Sequence, residues 1–159
     1  MRVVIAAVGR LKEGPERALF EKYRVRFEAA GRRLGLAPVL WGESSESRAA
    51  TVAQRQTEEE AALRKLTRDA ESIIALHLGG RAYSSENFAR LLARLRDDGT
   101  KAAAFAIGGP DGLSAALLAA ANHKVSFGAI TLPHQLARIV LAEQLYRATT
   151  ILAGHPYHR

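Results

Sequence analysis

Five short apolar runs alternate along this chain with five stretches of helical character, and that alternation restricts its fold more than any other feature. Residues 2–8 (RVVIAAV), 37–41 (APVLW), 72–78 (SIIALHL), 102–107 (AAAFAI) and 124–127 (KVSF) read as strands. Residues 14–30, 50–67, 84–95, 113–121 and 133–153 read as helices. Strands covered on both faces lose the polar–apolar alternation of half-exposed strands, and parallel neighbours must be joined by a crossover of helical length. The pattern therefore predicts an α/β fold with a mostly parallel sheet flanked by helices. Punctuation agrees with it: Ser84 or Ser85 suits an N-cap, Gly99 ends the third helix, and Pro133 opens the last one. The triplet Glu58, Glu59, Glu60 ahead of Arg64, Lys65 and Arg68 reads as a solvated charged face. Residues 42–49 (GESSESRA) are the one stretch expected to be a mobile loop.

A chain of 159 residues, 48% apolar and 25% charged, has the material for one domain with a real core, and no linker divides it. The absence of cysteine excludes disulfides, thiolate catalysis and a zinc–thiolate site, and it fits a reducing cytoplasm. The longest apolar stretch, residues 102–121, is broken by Gly108, Gly109, Pro110 and Asp111, so no membrane span is expected. The opening MRVVIAAVG is too short for a signal peptide and reads as a strand. A formal charge of +7 and a pI near 10.2 suit a partner carrying phosphates, the alternative being a merely basic surface. Arg17, Lys22, Arg24, Arg26, Arg32 and Arg33 crowd the first helix, though helical spacing scatters them around its axis.

Ligands of open α/β sheets collect beyond the carboxyl ends of the strands. Three such ends carry glycine: LHLGGR (76–81), IGGPDGLS (107–114) and FGAITLPH (127–134). Each is an ordinary turn sequence by itself; together they suit a small ligand held by backbone groups, adenosine being one candidate. Neither a Walker loop nor a G-x-G-x-x-G run is present. His77, His123 and His134 read as structural, no metal-binding spacing occurs, and no serine has the context of a nucleophile.

Along LARIVLAEQLYRATTI (136–151), Leu136, Ile139 and Val140 fall on one side of a helix and Leu141, Leu145 and Ala148 on another. One stripe suits the sheet, the other a second subunit. Glu143 and Arg147 are spaced for an ion pair, leaving Arg138 to meet a phosphate or the substrate. The chain ends GHPYHR: Pro156 stiffens the segment, Tyr157 suits stacking on a base, and His155, His158 and Arg159 bring protons or positive charge. A docked, purely structural tail is the alternative.

The blocks IGGPDGLS, TLPHQLARIVLAEQLYRA and GHPYHR, in that order, resemble the RlmH family of small SPOUT-class methyltransferases acting on large-subunit ribosomal RNA. The resemblance spans essentially the whole chain. It implies a single SPOUT unit over residues 1–159, an N-terminal half (1–69), and a C-terminal half (70–159) tied in a deep trefoil knot. It further implies a cytoplasmic homodimer, S-adenosyl-L-methionine as methyl donor, and 23S rRNA of the large subunit or assembled ribosome as partner. The implied target is N3 of a pseudouridine. Leu76, Gly108, Phe127, Gly128, Ala129, Ile130, Thr131 and Leu132 then line the cofactor pocket. His77 stands where the family more often has aspartate, and Phe127 and Gly128 where Leu-Ser is common. For catalysis the expectation is His155 or His158 as base, Tyr157 positioning the target, and Arg138 or Arg159 holding a phosphate or polarising the ring. The rival reading is a non-catalytic factor that binds ribosomal RNA by charge.

Overall fold

The structure is a computed structural model that describes residues 1–156. Strands β1 (Arg2–Val8), β2 (Val39–Ser44), β3 (Ser72–Ala82), β4 (Ala102–Ile107) and β5 (His123–Ser126) alternate with helices α1 (Pro15–Arg32), α2 (Val52–Leu66), α3 (Ser85–Asp97), α4 (Ala115–Ala120) and α5 (His134–Leu152). The strands form one all-parallel sheet in the order β2-β1-β4-β3-β5. The predicted α/β class and the placing of all ten elements agree with it.

β4 lies at the centre, and all six of its residues are buried. Side chains leave a strand on alternate faces, so each strand contributes to two cores. Val3, Ile5, Ala7, Ile74, Ala103, Phe105 and Ile107 face α1, α3 and α5, meeting Phe20, Phe27, Phe88, Leu92, Leu141 and Leu145. Ala6, Val8, Ala75 and Ala106 face the other way, toward Leu63 of α2 and Leu117 of α4. Of the two apolar stripes expected on α5, Leu141, Leu145 and Ala148 enter the core together with Ile139, whereas Leu136 is 45% exposed. Ser84 caps α3 by accepting the Asn87 N–H, as its sequence position predicts.

Two local expectations are corrected. Residues 42–44 belong to β2, and the segment after them is tied down: the Ser47 N–H donates to Glu59 Oε1 (3.0 Å) and the Ser47 hydroxyl to Glu58 Oε2. Glu59 is therefore not part of a solvated face; it is 4% exposed. Its neighbours in sequence are polar, and its partner Ser47 lies twelve residues upstream, beyond the reach of helical spacing.

β3 also runs further than its apolar pattern. It pairs with β5 through Leu76, loops out, and pairs again from Arg81. Gly80 makes this possible, because a Cβ there would lie 2.8 Å from the backbone of Lys124 and Val125.

Candidate functional site

The carboxyl ends of β3, β4 and β5 and the first turns of α5 surround a cleft of about 740 Å³. Its walls come from the three glycine-bearing segments. Leu76, Gly108, Phe127, Gly128, Ile130, Thr131 and Leu132 line it, and Ala129 does not. Sequence reasoning did not assign Leu78, Ile107, Asp111, Leu113 or Ala137 to it, and it read His77 and His134 as structural; all of these line it too. All but Ala137 stand in or beside the three segments, whereas Ala137 becomes a wall residue only because α5 starts at the cleft.

The β4–α4 loop folds back on itself. The Gly112 N–H donates to the Gly109 carbonyl at 3.0 Å, and a Cβ on Gly108 would sit 2.5 Å from the Gly112 carbonyl carbon. Gly108 is thus required by the loop's own closure rather than by the approach of a ligand. In the loop after β5, Ser126 Oγ accepts the Gly128 N–H (3.1 Å) and donates to the Gly128 carbonyl (3.0 Å), a local turn that uses φ +114° at Gly128.

The histidines keep the local roles expected of them. His77 Nδ1 accepts the Gly79 N–H at 3.1 Å. The His134 ring lies across Gly9, with Nε2 3.4 Å from Glu46 Oε1. His123 stands at the amino end of β5, away from the cleft, where burial and then Arg94 push its pKa down.

Arg138 is a correction. Its side chain is fully buried. The guanidinium pairs with Glu43 of β2 and donates to the carbonyls of Val8 (3.2 Å) and Gly9 (3.0 Å) at the end of β1. Burial lowers its pKa and the Glu43 carboxylate opposes that shift. A cation so committed ties the start of α5 to the sheet and is not free to meet a phosphate. Sequence spacing had excluded one partner, Glu143, which does hold Arg147 (2.6 Å); it gave no view of Glu43.

The tail leaves α5 through a defined stop. Gly154 takes φ +68°, its N–H donates to the Ile151 carbonyl (3.0 Å), and the His155 N–H donates to the Thr150 carbonyl (2.8 Å). α5 has 19 residues rising about 1.5 Å each, so this stop lies about 27 Å from the helix start at the cleft. His155 is exposed at that far end. The expected roles of Tyr157, His158 and Arg159 fall outside the described residues.

Among the described residues lining the cleft there is no lysine or arginine, in a chain of charge +7. No group of three metal-binding side chains occurs among the described residues, and no helix there is long and apolar enough to cross a membrane. An apolar cleft at the carboxyl edge of a parallel sheet, with backbone-rich loops, fits a nucleoside-sized ligand.

The family described as predicted SPOUT methyltransferase matches residues 1–158. The chain belongs to that family. As a SPOUT methyltransferase it is 52% identical over 159 residues to the ribosomal RNA large subunit methyltransferase H of Rhodopseudomonas palustris (strain BisB18), covering 100% of this chain and 99% of that one. It is 50% identical, with the same coverage, to the protein of that name from Bradyrhizobium diazoefficiens. Among solved structures, the SPOUT chain matches a probable methyltransferase from Bordetella pertussis Tohama I with a TM-score of 0.53 and 16% identity, over 92% of this chain and 95% of that one. A probable methylase family protein from Haemophilus influenzae Rd KW20 matches with a TM-score of 0.52 and 12% identity, over 99% of this chain and 70% of that one. These two likenesses bear on the fold.

Proposed function

We propose that this chain is a methyltransferase of large-subunit ribosomal RNA that takes its methyl group from S-adenosylmethionine and delivers it to N3 of a pseudouridine in 23S rRNA. The observation that carries the reading is identity of about half the residues, over the full chain, to proteins named ribosomal RNA large subunit methyltransferase H. The cleft suits the cofactor. Its volume is that of a nucleoside-sized site, its walls are largely apolar, and the absence of lysine and arginine from its described lining spares a sulfonium any like charge. Leu76, Gly108, Phe127, Gly128, Ile130, Thr131 and Leu132, which line the cleft, would hold the cofactor. When bound it supplies an electrophilic methyl group, which accounts for a chain without a nucleophile of its own.

What remains for the protein is placement and one proton. N3 of a uracil ring carries a hydrogen that must leave as the methyl arrives, and a neutral imidazole, His155 or His158, is suited to accept it. Tyr157 would hold the ring and Arg159 a phosphate or the developing negative charge. Arg138 takes no part in this; it orients the first turn of α5.

The same reading includes a homodimer, a knotted C-terminal half over residues 70–159, and action in the cytoplasm. A knot is supported by the path of the chain. β5 is the edge strand beyond β3, yet Arg138 of the next helix bonds to the end of β1, so residues 127–133 cross the carboxyl ends of β3 and β4. A dimer is supported by Leu136 exposed on α5, by Ile130 at 79% exposure, and by the tail. The tail departs from α5 about 27 Å from the helix start at the cleft, a separation that supports delivery to the cleft of a second subunit.

The test is methyl incorporation into intact ribosomes and into free rRNA from cells lacking the enzyme. Label in large-subunit rRNA at one pseudouridine is expected; no label in either substrate, with cofactor bound, would return the protein to the class of binding factors. Deleting residues 155–159 is expected to abolish transfer while cofactor affinity stays unchanged. Mixing tail-deleted with cleft-inactivated subunits is expected to restore it, and heterodimers without activity would assign the tail to its own subunit's cleft.

A further inference from the structure

The helix whose charges looked merely solvated is built against the cleft. On α2, Arg55, Gln56, Glu59 and Glu60 share one face at helical spacing, and each meets the β4–α4 loop. Arg55 Nε donates to Asp111 Oδ2 at 2.6 Å and Nη2 to Oδ1 at 3.1 Å. The Gln56 amide donates to the Asp111 carbonyl at 2.8 Å, and Glu60 accepts from the Ser114 hydroxyl. Buried Glu59 stands where a Cβ on Gly109 would come within 3.2 Å of its Oε2. The loop has little else to hold it, since of residues 108–113 only Leu113 is buried.

We propose that Arg55 is a positioning residue for cofactor binding: through its two-pronged pair with Asp111 it fixes the backbone of the loop that forms one wall of the cleft. The inference rests on the S-adenosylmethionine reading of that cleft. A bidentate guanidinium–carboxylate pair constrains direction as well as distance, which a single point charge does not. Both carboxylate oxygens of Asp111 accept from Arg55, which fixes the side chain and, through it, the backbone of the loop. A wall set before the ligand arrives lowers the ordering cost of binding. Arg55 also donates to the Ala49 carbonyl (3.1 Å), joining the segment after β2 to the same brace.

The experiment is calorimetric titration of the full chain with S-adenosylmethionine, alongside steady-state methylation of ribosomes, for Arg55→Ala and Arg55→Lys. Arg55→Ala is expected to raise Kd and the cofactor KM about tenfold, the scale of a charge-assisted hydrogen-bonded contact, with kcat at saturating cofactor unchanged. Arg55→Lys, which keeps the charge and loses the fork, is expected to recover part of the affinity. Arg55→Ala binding as tightly as the unmodified chain overturns the proposal, and so does a fall in kcat with Kd unmoved. Asp111→Asn weakening binding while Arg55→Ala does not would instead make Asp111 a direct contact, and also overturns it. If the unmodified chain binds no cofactor, the reading of the cleft falls first and this proposal with it. Should Arg55→Ala not fold in a thermal melt, Gln56→Ala, which removes only the bond to the Asp111 carbonyl, is expected to raise Kd in the same direction by less; an unchanged value there is equally fatal.

Discussion

Residues 108–114 and residues 127–133 both line the cleft, yet they are held in opposite ways. The first loop is gripped from outside by Arg55, Gln56 and Glu60, with Glu59 packed beneath it. The second has a turn at Ser126 and Gly128, and among the described residues positions 129–132 make no hydrogen bond. Its next anchors are His134, against Gly9 and Glu46, and Arg138 one turn into α5. One wall is therefore set by the fold, whereas the other is fastened only at its ends, with Ile130 left in water. A site of this kind has a preset side against which a ligand is placed and an apolar side that gains most from being covered.

The contrast is broken most severely at the buried anchor. Arg138→Leu leaves Glu43, 14% exposed, without its cation, and is expected to cost about 3–5 kcal/mol in chemical denaturation, with the second wall losing its fixed end. A loss below about 1 kcal/mol would mean that Glu43 finds another partner. The braced wall responds to acid. Arg55 holds the Asp111 carboxyl below the usual carboxylate range, and Ser114 and then Arg64 do the same for Glu60. Groups with depressed values contribute stability that is complete above the ordinary carboxylate range and is lost as pH falls through the depressed ones. Arg55→Ala is thus expected to show a shallower fall in thermal stability between neutral and acidic pH than the unmodified chain. Parallel curves would remove the pair from the brace. The smallest effect belongs to the free wall: Ile130→Ser, at a side chain 79% exposed on the single subunit, is expected to move the folding stability of the dissociated subunit by no more than about 0.5 kcal/mol. A larger loss would show that the second wall is packed after all.

Legibility followed the range of the interactions. The three loops of the cleft were visible because glycine and proline act locally, whereas Leu76, Gly108 and Phe127 within them were named by the family resemblance. Ala129 was named with its neighbours through the same resemblance and lies outside the lining. The glycines had the right positions for a different reason: Gly108 answers to Gly112, and Gly80 to β5. Arg138 was misread because no carboxylate lies three or four residues from it, Glu143 belongs to Arg147, and its true partner Glu43 is 95 positions away.

By itself the sequence determined the order and kind of the elements, the strand character of the all-apolar AAAFAI run, the Ser84 cap and the strand ends at which a ligand site was expected to lie. These follow from side-chain period, backbone preference and burial of continuous apolar runs, all of which act within a few residues. Tertiary structure alone decided which charges are spent inside the molecule. Arg55 meets Asp111 across 56 positions, and Arg138 meets Glu43 across 95 and the Val8 carbonyl across 130. A charged side chain is exposed or buried according to the partners that the folded chain brings to it, because leaving water is costly for a charge without pairing and hydrogen bonds to offset it.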